Sequence, residues 1–243
     1  MKEKESLKLI KMYLAYHFNK SFIILLSIIL LFLIIVLINN IGLPIDEMEY
    51  FNNKSFYHVS YLEQSLYIIN IINSVIIASL IGNEINSLSQ FDPMFVSYIK
   101  RSKIINAKII TNFILITIVL LYEMIILFLF GVIYYPDFII STNILIIIPY
   151  QLLFLFELII IGELLTLIIN NFLVTIIIFL FSFILNILAK IENLKDYIYN
   201  IIPFIEIRSI DKILLNGNIY IYILVNMISY ILIQIIYQKK DIC

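Results

Sequence analysis

Between Gly82 and Lys108 the chain reads GNEINSLSQFDPMFVSYIKRSKIINAK. It is the longest polar, cation-rich interruption between hydrophobic runs that are otherwise nearly continuous. Lys100, Arg101, Lys103 and Lys108 crowd its end. Asp92-Pro93 in its middle is a ready helix start: a capping side chain, then a proline at the first helical position, where no N–H is missed. Phe91 before the cap can staple onto Val96 four positions into the helix. The stretch predicts a short helix lying outside a bilayer, flanked by membrane spans.

Composition agrees with that setting. Of 243 residues, 63% are hydrophobic and only 14% charged, against roughly a quarter charged in soluble domains. The fold class expected is all-α, a polytopic membrane protein forming a single transmembrane domain over residues 1–243. A net charge of −1 speaks against nucleic acid, whose binders carry a strongly basic face. The single cysteine, Cys243, excludes an internal disulfide framework. The ending Lys240-Asp241-Ile242-Cys243 is not a prenylation box.

Outward from the opening stretch, the second span is expected at about 66–81 and the third at about 109–133. The first runs about 22–38, close to the shortest length that crosses a hydrocarbon core of about 30 Å. The fourth, fifth and sixth are expected at about 144–168, 172–188 and 219–237, with Asn170-Asn171 as a tight turn between the fourth and fifth. Ahead of them, residues 1–21 form an amphipathic interfacial helix: Leu7, Ile10, Leu14 and Phe18 recur at helical steps, with Lys4, Lys8, Lys11 and Asn19 largely opposite. Its mixed character and the lack of a small-residue cleavage site read as a retained segment, not a signal peptide.

Cations set the orientation. With the N-terminus inside, eleven lysines and arginines fall in cytoplasmic segments and five outside. Both termini and the 82–108 loop are then expected at the cytoplasmic face of the cell membrane. The 190–218 connection is expected outside, where apolar and aromatic residues broken by Pro203 suit either a re-entrant helix or an interfacial aromatic belt.

Candidate chemistry is sparse. His17 and His58 fall outside the spans, and no histidine, cysteine or carboxylate pair has metal-ligand spacing. No glycine opens a phosphate-cradling Gly-x-x-x-x-Gly-Lys loop. Three carboxylates lie inside spans: Glu123, Glu157 and Glu163. A charge there costs a few kcal/mol, so such residues face a protein interior or a wet cavity. They are candidates for a substrate path, or for hydrogen-bonded glue between helices; Asn70 and Asn73 read as glue.

Glu84, then Lys100-Arg101-Ser102-Lys103-Ile104-Ile105 and Ala107-Lys108 at the mouth of the third span, resemble the cytoplasmic loop of type-2 ATP-binding-cassette exporter permeases. The resemblance extends to the amphipathic N-terminal helix, the Asn170-Asn171 turn and the proline-broken segment at Pro203. Tyr98 stands where the family often has proline, and the family's mid-loop Gly-Thr pair is absent. The resemblance implies a small permease subunit without its own ATPase domain. It implies that Glu84, Phe91, Asp92, Pro93, Phe95, Lys100, Arg101 and Lys103 couple to a separate cytoplasmic ATPase, and that Pro203 and Phe204 form an extracellular gate. ATP and Mg would be held by that partner, with no cofactor in this chain. A second permease copy or a paralogue would complete a dimer exporting a peptide, bacteriocin or other amphipathic cargo.

Two other classes fit the same composition. A proton- or ion-coupled secondary transporter would use Glu123, Glu157 or Glu163 as its relay. A membrane scaffold or sensor would need neither ATPase nor relay.

Overall fold

The computed structural model describes residues 2–18, 20–41, 54–87, 100–134, 145–169, 173–188, 205–209, 212–215 and 219–239. These form helices α1 (Lys2–His17), α2 (Lys20–Ile41), α3 (Lys54–Ser87), α4 (Arg101–Tyr134), α5 (Ile147–Ile169), α6 (Leu173–Leu188) and α7 (Ile219–Lys239). A hairpin of strands β1 (Ile205–Ser209) and β2 (Lys212–Leu215) precedes α7. Among the described residues three stretches are long and apolar enough to cross a membrane, Ser65–Gly82 of α3, Ser102–Tyr134 of α4, and α5, and the bent pair Ser6–His17 with Phe22–Ile38 reaches that length and apolarity together. Shorter apolar stretches occupy α6 and α7.

The distribution of side chains is that of a bundle immersed in lipid. Asn70, Asn73, Thr111, Asn112, Glu123 and Glu163 are buried, whereas Ile118, Leu121, Ile125 and Leu129 of the same α4 face outward. Water would drive the reverse arrangement, because an exposed polar group is already solvated and an exposed leucine is not. In hydrocarbon the polar groups must find partners inside.

Helices α3, α4 and α5 each pack against the other two. Around this centre, α2 lies against α3 and α4, α6 against α3 and α5, and α7 against α4 and α5. Gly162 marks a close crossing: a Cβ there would overlap Ile81 Cδ1 of α3 and come within 2.8 Å of Ile178 Cδ1 of α6. A small residue lets helices approach where van der Waals packing, not hydrophobicity, holds them. Pro149 falls in the first turn of α5, where its missing N–H removes no helical bond.

The structure adds detail to three sequence expectations. Both ends of the polar 82–108 interruption are helical, since α3 continues through Glu84 to Ser87 and α4 begins at Arg101; residues 88–99, with the expected short helix, lie outside the described residues. Charged and amide side chains sustain a helix outside an apolar layer, so hydropathy ends before the helix does. At 34 residues each, α3 and α4 are about 50 Å long, well beyond a hydrocarbon core of about 30 Å.

Second, residues 205–209 and 212–215 of the 190–218 connection form the β1–β2 ribbon, while the apolar and aromatic segment ahead of it, residues 197–204, lies outside the described residues. The ribbon is antiparallel, pairing Ile205 with Leu215, Glu206 with Leu214 and Ile207 with Ile213, and its register shifts between Ile207 and Ser209. Alternation of Ile205, Glu206, Ile207 and Arg208 has the period of a strand. β1 lies against α3.

Third, the face of α1 that packs inward lies beside the Leu7–Phe18 stripe, of which Ile10 and Leu14 are half-buried. Leu9, Tyr13 and His17 are buried, and Leu7 and Phe18 are exposed. Helix α1 packs against α4, with Leu9, Tyr13 and His17 at four-residue steps on one face. Leu7 and Phe18, the ends of the stripe expected at the interface, stay outside the bundle.

Candidate functional site

The functional geometry is a buried polar column on one face of α4. Asn112 and Glu123 are eleven residues apart, about three turns, and so lie almost in line along the helix. Each meets a partner of the opposite kind on a different neighbour. Asn73 Nδ2 of α3 donates to Glu123 Oε2 at 2.6 Å, and Asn112 Nδ2 donates to Glu163 Oε1 of α5 at 3.2 Å. One face of α4 thus looks into the groove between α3 and α5, with a carboxylate–amide pair at each of two depths.

The deeper pair is sealed. Asn73 lies at the middle of the apolar stretch Ser65–Gly82, and both Asn73 and Glu123 are 0% exposed. Among the described residues no cation pairs with Glu123, and its Oε1 has no hydrogen-bond partner. One turn from Asn73, Asn70 is also buried, with its Oδ1 unpartnered. One turn beyond Glu123, the Tyr61 hydroxyl donates to the Leu127 carbonyl at 3.1 Å and ties α3 to α4.

The other pair lies toward the end where the 88–99 connection leaves the bundle, and it is surrounded by further polar contacts. Lys108, one turn from Asn112 on α4, is only 5% exposed. Its ammonium stands 6.0 Å from the centre of the Tyr13 ring on α1, the range of a cation–π contact. Asn106 Oδ1 accepts from the Tyr230 hydroxyl at 2.8 Å and from Gln234 Nε2, which fastens α7 to the start of α4. Phe113 and Phe156 meet edge to face at 5.0 Å between α4 and α5.

The expected site residues separate accordingly. Glu123 and Glu163 are brought to one face of α4. Glu157 is half-buried, with Oε2 unpartnered; six residues from Glu163, it lies about two-thirds of a turn round α5. Glu84 sits in the last turn of α3, Lys100 is exposed just before α4, Arg101 opens α4, and Lys103 is half-buried in its first turn. A backbone bond from Lys103 N to Lys100 O at 2.8 Å forms that turn. Phe91, Asp92, Pro93 and Phe95, the turn Asn170-Asn171, and Pro203 and Phe204 lie outside the described residues.

Lys108 needs reassignment. Its place in a run of cations reads as a loop charge, yet it belongs to the interior with α1 across it. Asn106, Asn112, Tyr230 and Gln234 escaped the sequence reading altogether. A signal for them exists: Asn226, Tyr230 and Gln234 recur every four residues in an otherwise apolar α7, and Lys108 and Asn112 do the same on α4.

No known family model matches the chain, and no characterised protein matches it.

Proposed function

We propose that this chain is the membrane-spanning permease subunit of an ATP-driven exporter, with six spans, both termini cytoplasmic, and a separate ATPase engaging the connection between α3 and α4. The observation that carries this reading is the shape of α3 and α4. They are single helices that run unbroken from the 88–99 connection, past the apolar layer's middle, to Asn73 and Glu123. A helix transmits displacement along its axis, so a force on the connection reaches the central polar pair without a hinge to absorb it. Helix α1, held to α4 through Tyr13 and Lys108, would move with it. A pair of such subunits, identical or not, would supply the two halves of a path for an amphipathic cargo.

The test is copurification with a cytosolic ATPase. Charge reversal at Lys100, Arg101 and Lys103 together is expected to release the ATPase while leaving the subunit in the membrane. A stoichiometric ATPase that stays bound to the triple variant overturns the docking assignment.

One observation favours a second reading, an ion-coupled secondary transporter: Glu123 is wholly buried with a single amide donor. Reconstituted vesicles separate the two. Transport that persists without ATP and collapses with the proton gradient selects the relay; transport that needs ATP and ignores the gradient selects the exporter.

A further inference from the structure

Three buried side-chain oxygens without a hydrogen-bond partner fall within one turn of the Asn73–Glu123 pair. Glu123 Oε1, Asn73 Oδ1 and Asn70 Oδ1 are all buried without a hydrogen-bond partner, on residues that are 0%, 0% and 3% exposed. Asn73 spends its amide on Glu123 Oε2, so its carbonyl oxygen remains for another group. A buried carboxyl group with no cation beside it, next to two unfilled carbonyl oxygens, is costly to maintain merely as glue. An apolar replacement of the same shape would hold α3 to α4 at least as well.

We propose that Asn70, Asn73 and Glu123 form an intramembrane subsite for a single alkylammonium group, as carried by a lysine side chain or a peptide N-terminus. This rests on the reading of the chain as a transport subunit and specifies its cargo as cationic. An ammonium carries three donors and no acceptor, which matches three vacant oxygens, one of them on a carboxyl group that can give up its proton when a cation arrives. A guanidinium presents five donors in a rigid plane, more than the cluster can accept. A hard metal ion needs six or more oxygens, while backbone carbonyls within unbroken helices are already bonded. The turns on either side are aliphatic: Ile69 and Ile77 on α3, Leu120 and Leu127 on α4, all fully buried. They suit the alkyl stem that an ammonium brings with it.

The experiment uses the full chain in lipid nanodiscs, without ATPase, and radiolabelled n-octylammonium as probe. Saturable binding is expected. Glu123→Gln and Asn73→Ala should each weaken it roughly tenfold or more, the scale of one charge-assisted hydrogen bond. Asn70→Ala should weaken it less. Glu163→Gln, an equally buried carboxylate outside the subsite, should change it by less than about twofold. n-Octyltrimethylammonium, with the same charge and no N–H, and neutral n-octanol should fail to compete.

Only unsaturable partitioning of the probe, a Glu123→Gln isotherm equal to that of the unsubstituted chain, or equal competition by the trimethyl compound overturns the subsite. Should Glu123→Gln fail to fold, Asn70→Ala and Asn73→Ala carry the same comparison. Loss of ATPase copurification with an intact isotherm overturns the motor reading alone. A featureless isotherm with intact copurification overturns the subsite alone.

Discussion

Two carboxylate–amide pairs sit on one face of α4, and they are built differently. Glu163 takes Asn112 toward the end of the bundle where Lys108 meets Tyr13 and Asn106 meets Tyr230 and Gln234. Glu123 takes Asn73 in the middle of the apolar layer, with aliphatic neighbours and an oxygen left over. The first pair has the character of a fastening, because several helices converge at that end and each contact supports the next. The second has the character of a receptor, because it is held in place but not filled. Similar residue chemistry thus does different work according to how many neighbours share it.

Substitutions can break that contrast. The largest effect is expected for Asn73→Leu, which leaves Glu123 buried without a donor and should cost up to about 3 kcal/mol of bundle stability. Combining Asn73→Leu with Glu123→Leu should recover most of the loss, since removing both partners is far cheaper than removing one. Thermal unfolding in detergent reads both; a double variant no more stable than the single one contradicts the view of Glu123 as an unfilled site.

Next is Gly162→Leu, at the crossing beside Glu163. Forcing a side chain against Ile81 and Ile178 should cost about 2 kcal/mol and loosen the pair at 112 and 163 more than that at 73 and 123. Hydrogen exchange resolved along α5 and α3 would show whether the two depths separate.

Asn112→Leu should cost less than Asn73→Leu, about 1 kcal/mol, because Glu163 keeps other contacts. An equal cost at the two sites would erase the distinction drawn here. The smallest effect is expected for Tyr13→Leu, which removes the ring under Lys108 and keeps the apolar bulk: about 0.5–1 kcal/mol. Its signature is easier cleavage of α1 by added protease, with the rest of the bundle unchanged.

Much of the architecture was legible in residue order. Long apolar runs announce helices wherever they occur: the expected spans near 66–81 and 109–133 lie within α3 and α4, and that near 144–168 overlaps α5 over all but its first three residues. The presence of Glu123 and Glu163 in such runs marked them for the interior, because lipid tolerates a carboxylate poorly. Their partners were not legible. Asn112 looks no different in sequence from any polar residue in a span, and which helix it meets depends on the rotation of α4 against α5. Lys108 was misread for the same reason: a cation near a span's end anchors in headgroups when it faces out and packs on an aromatic ring when it faces in. The β1–β2 ribbon was missed because Pro203 and nearby tyrosines dominate the reading of that segment.

By itself, the sequence determined that this chain enters a membrane as apolar helices with carboxylates inside, because transfer from water to hydrocarbon depends only on which side chains are consecutive. The tertiary structure alone decided that Glu123 meets Asn73, that Glu163 meets Asn112, and that α1 turns Leu9, Tyr13 and His17 toward α4. Those outcomes depend on helix rotation and depth. In lipid, rotation and depth are set by close packing and by pairing of polar groups across helices, and neither is written in any single stretch of residues.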